Sequence, residues 1–277
     1  MRKFRFYLFV ILSIFLFLFI GSNIRVNADV GPKPSVNIKI TGLEGEKYTA
    51  TLISQKAGGP NFTYEDWLEN GDPEYQPYHR IMEYRDSEGF KWIGSHWELE
   101  GDTSFVWGYY PPSTFKVLIM LEDGTYFTSP VLERYAFNTY YHVIIDRTEN
   151  IVEVKKNYDY TTEIISLLLR LLATVLIEIG ILYLFGYRNS RSYKLVLIVN
   201  IITQIFLNVL LNITSYYQSV LVGVIIYILL EFLIVLGEAI IYGIFLKEKK
   251  KWLAVVYAIA ANIASFGIGL LIYLALA

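Results

Sequence analysis

The hydrophobic rhythm of the chain changes twice. A continuous apolar run from Leu8 to Ile20 comes first, 13 residues long. From Val36 to Lys155 apolar and polar positions alternate in short stretches bounded by Gly, Asp, Asn and Pro, the period of half-buried strands. From residue 161 the pattern becomes four long apolar runs, near 164–187, 194–214, 219–246 and 252–276. At about 1.5 Å of rise per residue each is long enough to cross a bilayer.

The middle segment divides into strand–turn–strand units. Val36–Thr41 and Tyr48–Ser54 flank Gly42-Leu-Glu-Gly-Glu46, and Arg80–Arg85 and Phe90–Ile93 flank Asp86-Ser-Glu-Gly89. Thr114–Leu121 and Thr125–Val131 flank Glu122-Asp-Gly124, a short hairpin signal. Tyr140–Asp146 and Ile151–Lys155 enclose Arg147-Thr-Glu-Asn150. Eight or nine short strands at regular spacing predict an antiparallel β-sandwich over residues 29–158. Thr63, with Asp66 three residues on and Gly71 just past the end, predicts a short helix over Tyr64–Asn70.

Charge separates the same three segments. Residues 1–28 carry four Lys/Arg and no acid. Residues 29–160 carry 12 Lys/Arg against 21 Asp/Glu, and residues 161–277 carry eight against five. Arg2, Lys3 and Arg5 precede the Leu8–Ile20 run, and Val26-Asn27-Ala28 supplies small residues before Asp29. Together they predict a secretory signal peptide over 1–28, an exported domain over 29–158 and a membrane domain over 159–277. The acidic middle argues against nucleic acid as a partner. With no cysteine anywhere, disulfides, thiol catalysis and thiolate metal sites are excluded.

The start of the exported segment, Ala28-Asp-Val-Gly-Pro-Lys-Pro-Ser35, resembles that of a family of uncharacterised bacterial membrane proteins, as do Phe115-Lys-Val-Leu118 and Ser129-Pro-Val-Leu-Glu-Arg134. The resemblance implies a signal peptide, an exported β-rich domain and a C-terminal polytopic membrane domain in a bacterial cell membrane. It implies no activity, cofactor or catalytic residue.

The exported segment offers little chemistry. His79, His96 and His142 are scattered without metal-ligand spacing, and the acidic residues from Glu65 to Glu74 lack the order of a calcium loop. No metal or cofactor site is expected. Trp67, Trp92, Trp97 and Trp107 are candidates for an aromatic binding face, with core packing the alternative.

Within the membrane domain, Tyr187-Arg-Asn-Ser-Arg-Ser-Tyr-Lys194 and Lys247-Glu-Lys-Lys-Lys251 are basic connectors, whereas 212–219 has no charge. The positive-inside rule places both basic loops in the cytoplasm and the 212–219 turn and C-terminus outside. The four runs read as two similar hairpins. Glu178 lies nine residues before Tyr187 and Glu238 nine before Lys247; the return helices carry Asn200…Thr203 and Asn262…Ser265. Charges within a span are costly and mark functional or register-setting sites. Arg170, Glu178, Asn200, Thr203, Glu231, Glu238, Asn262 and Ser265 therefore form the candidate site, with Asn208 a further polar residue of the second run and Tyr227 and Tyr242 on the face of Glu231 and Glu238. Depth counting from the basic loops puts Arg170 level with Glu231, an expected ion pair. With three glutamates to one arginine, at least one glutamate is expected to carry a proton. Residues 161–277 contain no His, Cys or Asp, which removes the common nucleophile–base pairs.

These features favour a non-enzymatic envelope protein. Its sandwich would bind a ligand or partner, and its helices would anchor it and couple to another membrane protein. The alternative is a small transporter or proton-coupled subunit using Glu178, Glu231 and Glu238; an intramembrane enzyme is third. The bilayer is a partner in every case, and the sequence leaves oligomeric state open.

Overall fold

The computed structural model describes residues 31–56 and 79–276. The signal segment, the helix expected at 64–70 and Trp67 lie outside them. The chain forms two compact units, one of Lys33–Tyr160 with Ile213–Ser219 and one that includes Thr161–Asn212 and Val220–Ala277.

The first unit contains β1 (Ser35–Thr41), β2 (Lys47–Ser54), α1 (His79–Glu83), β3 (Lys91–Trp92), β4 (Trp97–Glu100) and β5 (Thr103–Trp107). It continues through β6 (Thr114–Leu121), β7 (Tyr126–Thr128), β8 (Leu132–Glu133), β9 (Asn138–Asp146) and β10 (Ile151–Lys156). One sheet has the order β10-β9-β1-β5; the other runs β3-β2-β6-β7, with β4 paired to β2 and β8 to β6. Along β1 and β9 burial alternates as the period-two pattern requires, whereas β2 and β6 are buried almost throughout. The difference has a cause. Ile53 and Leu118, on β2 and β6, pack with Ile81, Met82, Phe90 and Trp92 in a cluster of their own. The other cluster draws Val36, Ile38, Leu52, Val117 and Val143 from both sheets.

Two expectations fail here. The strands are not all antiparallel: β1 and β9 run parallel, with Ile38 opposite Tyr141. Parallel neighbours need a long crossover, and here the intervening chain supplies the second sheet. Residues 80–85, expected as a strand, instead begin inside α1. Ile81 and Met82 are adjacent and both buried. A strand would point them to opposite faces, while a helical turn lets both reach the core.

An ion pair missed by the sequence reading anchors the turn after α1. Lys116 on β6 places Nζ 2.6 Å from Asp86 Oδ2 and 3.2 Å from Glu88 Oε1, with its side chain only 9% exposed. Asp86 Oδ1 accepts the backbone N–H groups of Glu88 at 2.9 Å and Phe90 at 2.8 Å. Burial alone would raise the Asp86 carboxyl, but Lys116 and the Phe90 and Glu88 amides outweigh it and hold Asp86 below its usual value. Stability from Asp86 is therefore complete above the unfolded carboxylate range, near 4, and is lost as pH falls through it. Burial lowers His96 in spite of Glu98, so its contribution is complete above about 6.5 and declines below that. Thermal melting against pH should show a shallow loss below about 6.5, absent in His96→Gln, and a second loss below about 4. Lys116→Met should cost about 3 kcal/mol, the low end for breaking a buried pair, because Asp86 keeps its two amide donors.

The second unit is four helices: α2 (Tyr160–Leu184), α3 (Ser190–Tyr217), α4 (Val220–Phe245) and α5 (Lys251–Leu276). All four are long and apolar enough to cross a membrane. Their packing is the inverse of a water-soluble bundle. Arg170 and Glu178 are 2% and 1% exposed, while Leu176 on the same helix is 62% exposed and Ile263 on α5 69%. Such a surface belongs in lipid: the chain is a multi-pass membrane protein.

The helix ends follow local chemistry. Gly186, at φ +80°, ends α2 with bonds from Gly186 N–H to Tyr183 C=O (3.0 Å) and Tyr187 N–H to Leu182 C=O (3.3 Å). Asn189 caps α3 through Oδ1, which accepts the Arg191 N–H at 3.0 Å. Glu248 accepts from the Arg188 N–H at 2.6 Å and the Ser192 hydroxyl at 2.7 Å. Both basic connectors therefore lie at one end of the bundle.

Candidate intramembrane polar site

Each long helix presents one polar stripe inward. On α2 the buried positions are Ser166, Arg170, Thr174, Glu178 and Leu182, a strict four-residue step that keeps one face turned to the other helices. On α4, Tyr227, Glu231, Glu238 and Tyr242 do the same, and on α5 Tyr257, Asn262, Ser265 and Tyr273. Asparagine and hydroxyl side chains are tolerated here because each also bonds its own helix. Asn200 Nδ2 donates to the Val196 carbonyl at 3.1 Å and Asn262 Nδ2 to that of Ala258 at 2.9 Å. Thr203 Oγ1 and Ser265 Oγ each lie 3.2 Å from the carbonyl three residues back.

The first of two polar layers holds Glu178 and Glu238. Asn200 Nδ2 donates to Glu178 Oε2 at 2.7 Å, tying α3 to α2. Asn262 Nδ2 donates to Glu238 Oε2 at 2.8 Å, tying α5 to α4. Thr203 closes the set by donating to Glu238 Oε1 at 2.9 Å. Asn200 Nδ2 also reaches the Tyr242 hydroxyl at 3.2 Å, and the Tyr257 hydroxyl donates to the Glu178 backbone carbonyl at 3.2 Å. Six of the eight residues expected at the site come together here: Glu178, Asn200, Thr203, Glu238, Asn262 and Ser265.

The second layer corrects an expectation. Arg170 and Glu231 form no ion pair. Arg170 Nε donates to Asn208 Oδ1 at 2.6 Å, and its guanidinium lies 5.4 Å from the centre of the Tyr273 ring. Glu231 hydrogen-bonds Tyr227, one turn back on its own helix. Helix rotation turns Arg170 toward α3 and α5. Asn208 was legible as an amide eight residues from Asn200 on the same face. Tyr273 carried no signal beyond its place near the chain end. Because Tyr227 bonds Glu231 and also faces Arg170, Arg170→Leu and Glu231→Leu should show a small coupling in melting of the purified protein, about 0.5–1 kcal/mol, and no recovery in the double mutant. Recovery in the double mutant would restore the pair.

Among the described residues, Trp92, Trp97 and Trp107 pack against the core. Trp92 and Trp107 are buried, donating Nε1–H to the Ser95 carbonyl at 3.1 Å and the Tyr109 carbonyl at 2.9 Å. Trp97 stacks on Phe105 at 4.6 Å against the core. Trp67 lies outside the described residues. Among those residues no group of three His, Cys, Asp or Glu could hold a metal ion.

Neither a protein-family model nor a curated protein matches the chain. One solved structure, an NMR structure of a protein from Eubacterium rectale, is similar over 49% of this chain and 98% of its own length, at 9% identity and a TM-score of 0.26.

Proposed function

We propose that the chain is a non-enzymatic protein of a bacterial cell membrane. Its β-rich unit is an exported sandwich that binds a ligand or envelope partner; its helices anchor that unit and couple it to another membrane protein. The observation that carries this is the layer joining Glu178, Asn200, Thr203, Glu238 and Asn262. Its side-chain bonds cross between all four helices, which suits a bundle held in one register. The matching Glu–Asn bonds support descent of α2–α3 and α4–α5 from one hairpin, related by an axis along the membrane normal.

The same glutamates support a second reading, a proton-coupled transporter. Proteoliposomes carrying an internal pH dye separate the two. Under an imposed pH gradient no protein-dependent proton flux is expected; flux abolished by Glu178→Gln and Glu238→Gln would establish the transporter instead. Orientation is tested in a chain with no native cysteine to remove. With single cysteines at Ser190, Ser215 and Ala277, an impermeant thiol reagent applied outside cells should label the last two. Labelling at Ser190 would reverse the topology.

A further inference from the structure

The two Glu–Asn pairs share their amide bond and differ in what surrounds the second carboxyl oxygen. At Glu238 both carboxyl oxygens accept a donor, Thr203 on Oε1 and Asn262 on Oε2. At Glu178 only Oε2 does. Glu178 Oε1 is buried with no hydrogen-bond partner among the described residues, and so is Oδ1 of Asn200, the residue that donates to Glu178. Two orphan acceptors on neighbouring side chains, each 1% exposed, stand where one more hydrogen is required. Among the described residues, the Ser265 hydroxyl competes for that place, since it also hydrogen-bonds Glu178. That hydroxyl also lies 3.2 Å from the Asn262 carbonyl, and both Asn200 amide hydrogens have acceptors, so Asn200 Oδ1 is left without a donor among the described residues.

We propose that Glu178 is a proton-binding site, protonated on Oε1 and donating to Asn200 Oδ1. A carboxylic acid already joined to an amide by N–H···O is completed by one O–H···O bond. A single proton satisfies both orphans without a further ligand. The proton also relieves a charge conflict, since the Glu178 and Glu238 carboxylates lie close enough to repel and both are buried. The titratable groups facing Glu178 are Glu238, Glu231 and Tyr242 from α4 and Tyr257 from α5. From α3 Asn200 bonds it, and Arg170 lies eight residues away on its own helix. Asn200 also contacts the Tyr242 hydroxyl, which bonds Glu238. A chain of hydrogen bonds thus joins the two carboxyls. This site stands apart from what the β-rich unit binds and from the direction in which the helices cross.

Infrared difference spectroscopy of the full chain in lipid nanodiscs tests the proposal. At neutral pH the wild type should show a protonated-carboxyl carbonyl band that disappears on titration to alkaline pH. Glu178→Gln, which keeps the shape, should lose that component while retaining the wild-type melting temperature. Glu238→Gln should retain it. Asn200→Leu removes the acceptor and should move the band to the frequency of a free acid, which decides the matter should Glu178→Gln fail to fold. Ser265→Ala should leave the band in place. An unchanged band in both Glu178→Gln and Asn200→Leu would overturn the proposal. So would its loss in Ser265→Ala, or its replacement by a carboxylate band when sodium replaces choline, which would make the occupant a metal cation.

Discussion

Gly42→Ala is expected to leave almost no folded β-rich unit. Gly42 follows β1 directly and has φ +93°, a conformation that L side chains rarely adopt. A Cβ built there would lie 2.0 Å from the carbonyl oxygen of Ile145 on β9. Neither neighbour can yield. Ile145 and Val143 are buried, and the Gly42 and Leu43 N–H groups both donate to Asp102 Oδ1, at 2.9 and 3.2 Å. Gly45 provides the comparison: its φ is +75°, yet nothing lies within 4 Å of an added Cβ. Gly45→Ala should carry only the conformational penalty, about 1–2 kcal/mol. Gly42→Ala adds a backbone collision and should exceed about 4 kcal/mol, a large part of the roughly 5–15 kcal/mol that holds a typical domain together. Protease resistance of the β-rich unit in the full chain measures both. Equal resistance in the two variants would show that β9 can move aside.

The sequence shows most directly those features that a local rule controls. Period-two alternation located β1, β2, β6, β9 and β10 to within about two residues, and the four helices follow from unbroken apolar length. The intramembrane polar residues stood out because charge and amide groups are conspicuous against leucine and isoleucine. What the sequence concealed depends on rotation and on distant partners. Depth counting carries no information on the azimuth that turns Arg170 to Asn208 and Tyr273. The parallel contact of β1 with β9 joins segments about a hundred residues apart, and no turn signal reports it. Lys116 and Asp86 each look like solvent-facing residues until the fold buries them together. The difference between Glu178 and Glu238 is subtler again. Each is one glutamate facing one asparagine, and only the count of donors around each oxygen separates them.

The packing of α4 against α5 depends on two glycines, each seating the other helix's tyrosine. A Cβ at Gly269 would lie 2.4 Å from the Tyr227 hydroxyl oxygen and 3.7 Å from its ring carbon Cζ. At Gly223 the Tyr273 hydroxyl and Cζ would lie at 2.0 and 3.2 Å. The two rings are parallel within 4°, 5.9 Å apart, and Tyr227 also stacks on Phe266, so neither ring can swing away. In an open helical position Gly→Ala gains about 0.8–1.0 kcal/mol. Gly237→Ala, with no atom within 4 Å, should show that gain. Gly269→Ala and Gly223→Ala should instead lower the melting temperature of the purified protein, because the collision outweighs the helix preference. The two differ in their rescue. Tyr227→Phe removes the only close atom facing residue 269, and the remaining 3.7 Å is ordinary contact, so Gly269→Ala/Tyr227→Phe should regain most of the loss. The rescue is not complete, since the Tyr227 hydroxyl also bonds Glu231. Tyr273→Phe leaves Cζ at 3.2 Å from the new methyl, so Gly223→Ala/Tyr273→Phe should regain only part. A coupling of about 1–3 kcal/mol is expected for the first pair and less for the second. Gly269→Ala raising the melting temperature as Gly237→Ala does would mean that the helices stand further apart than these glycines imply.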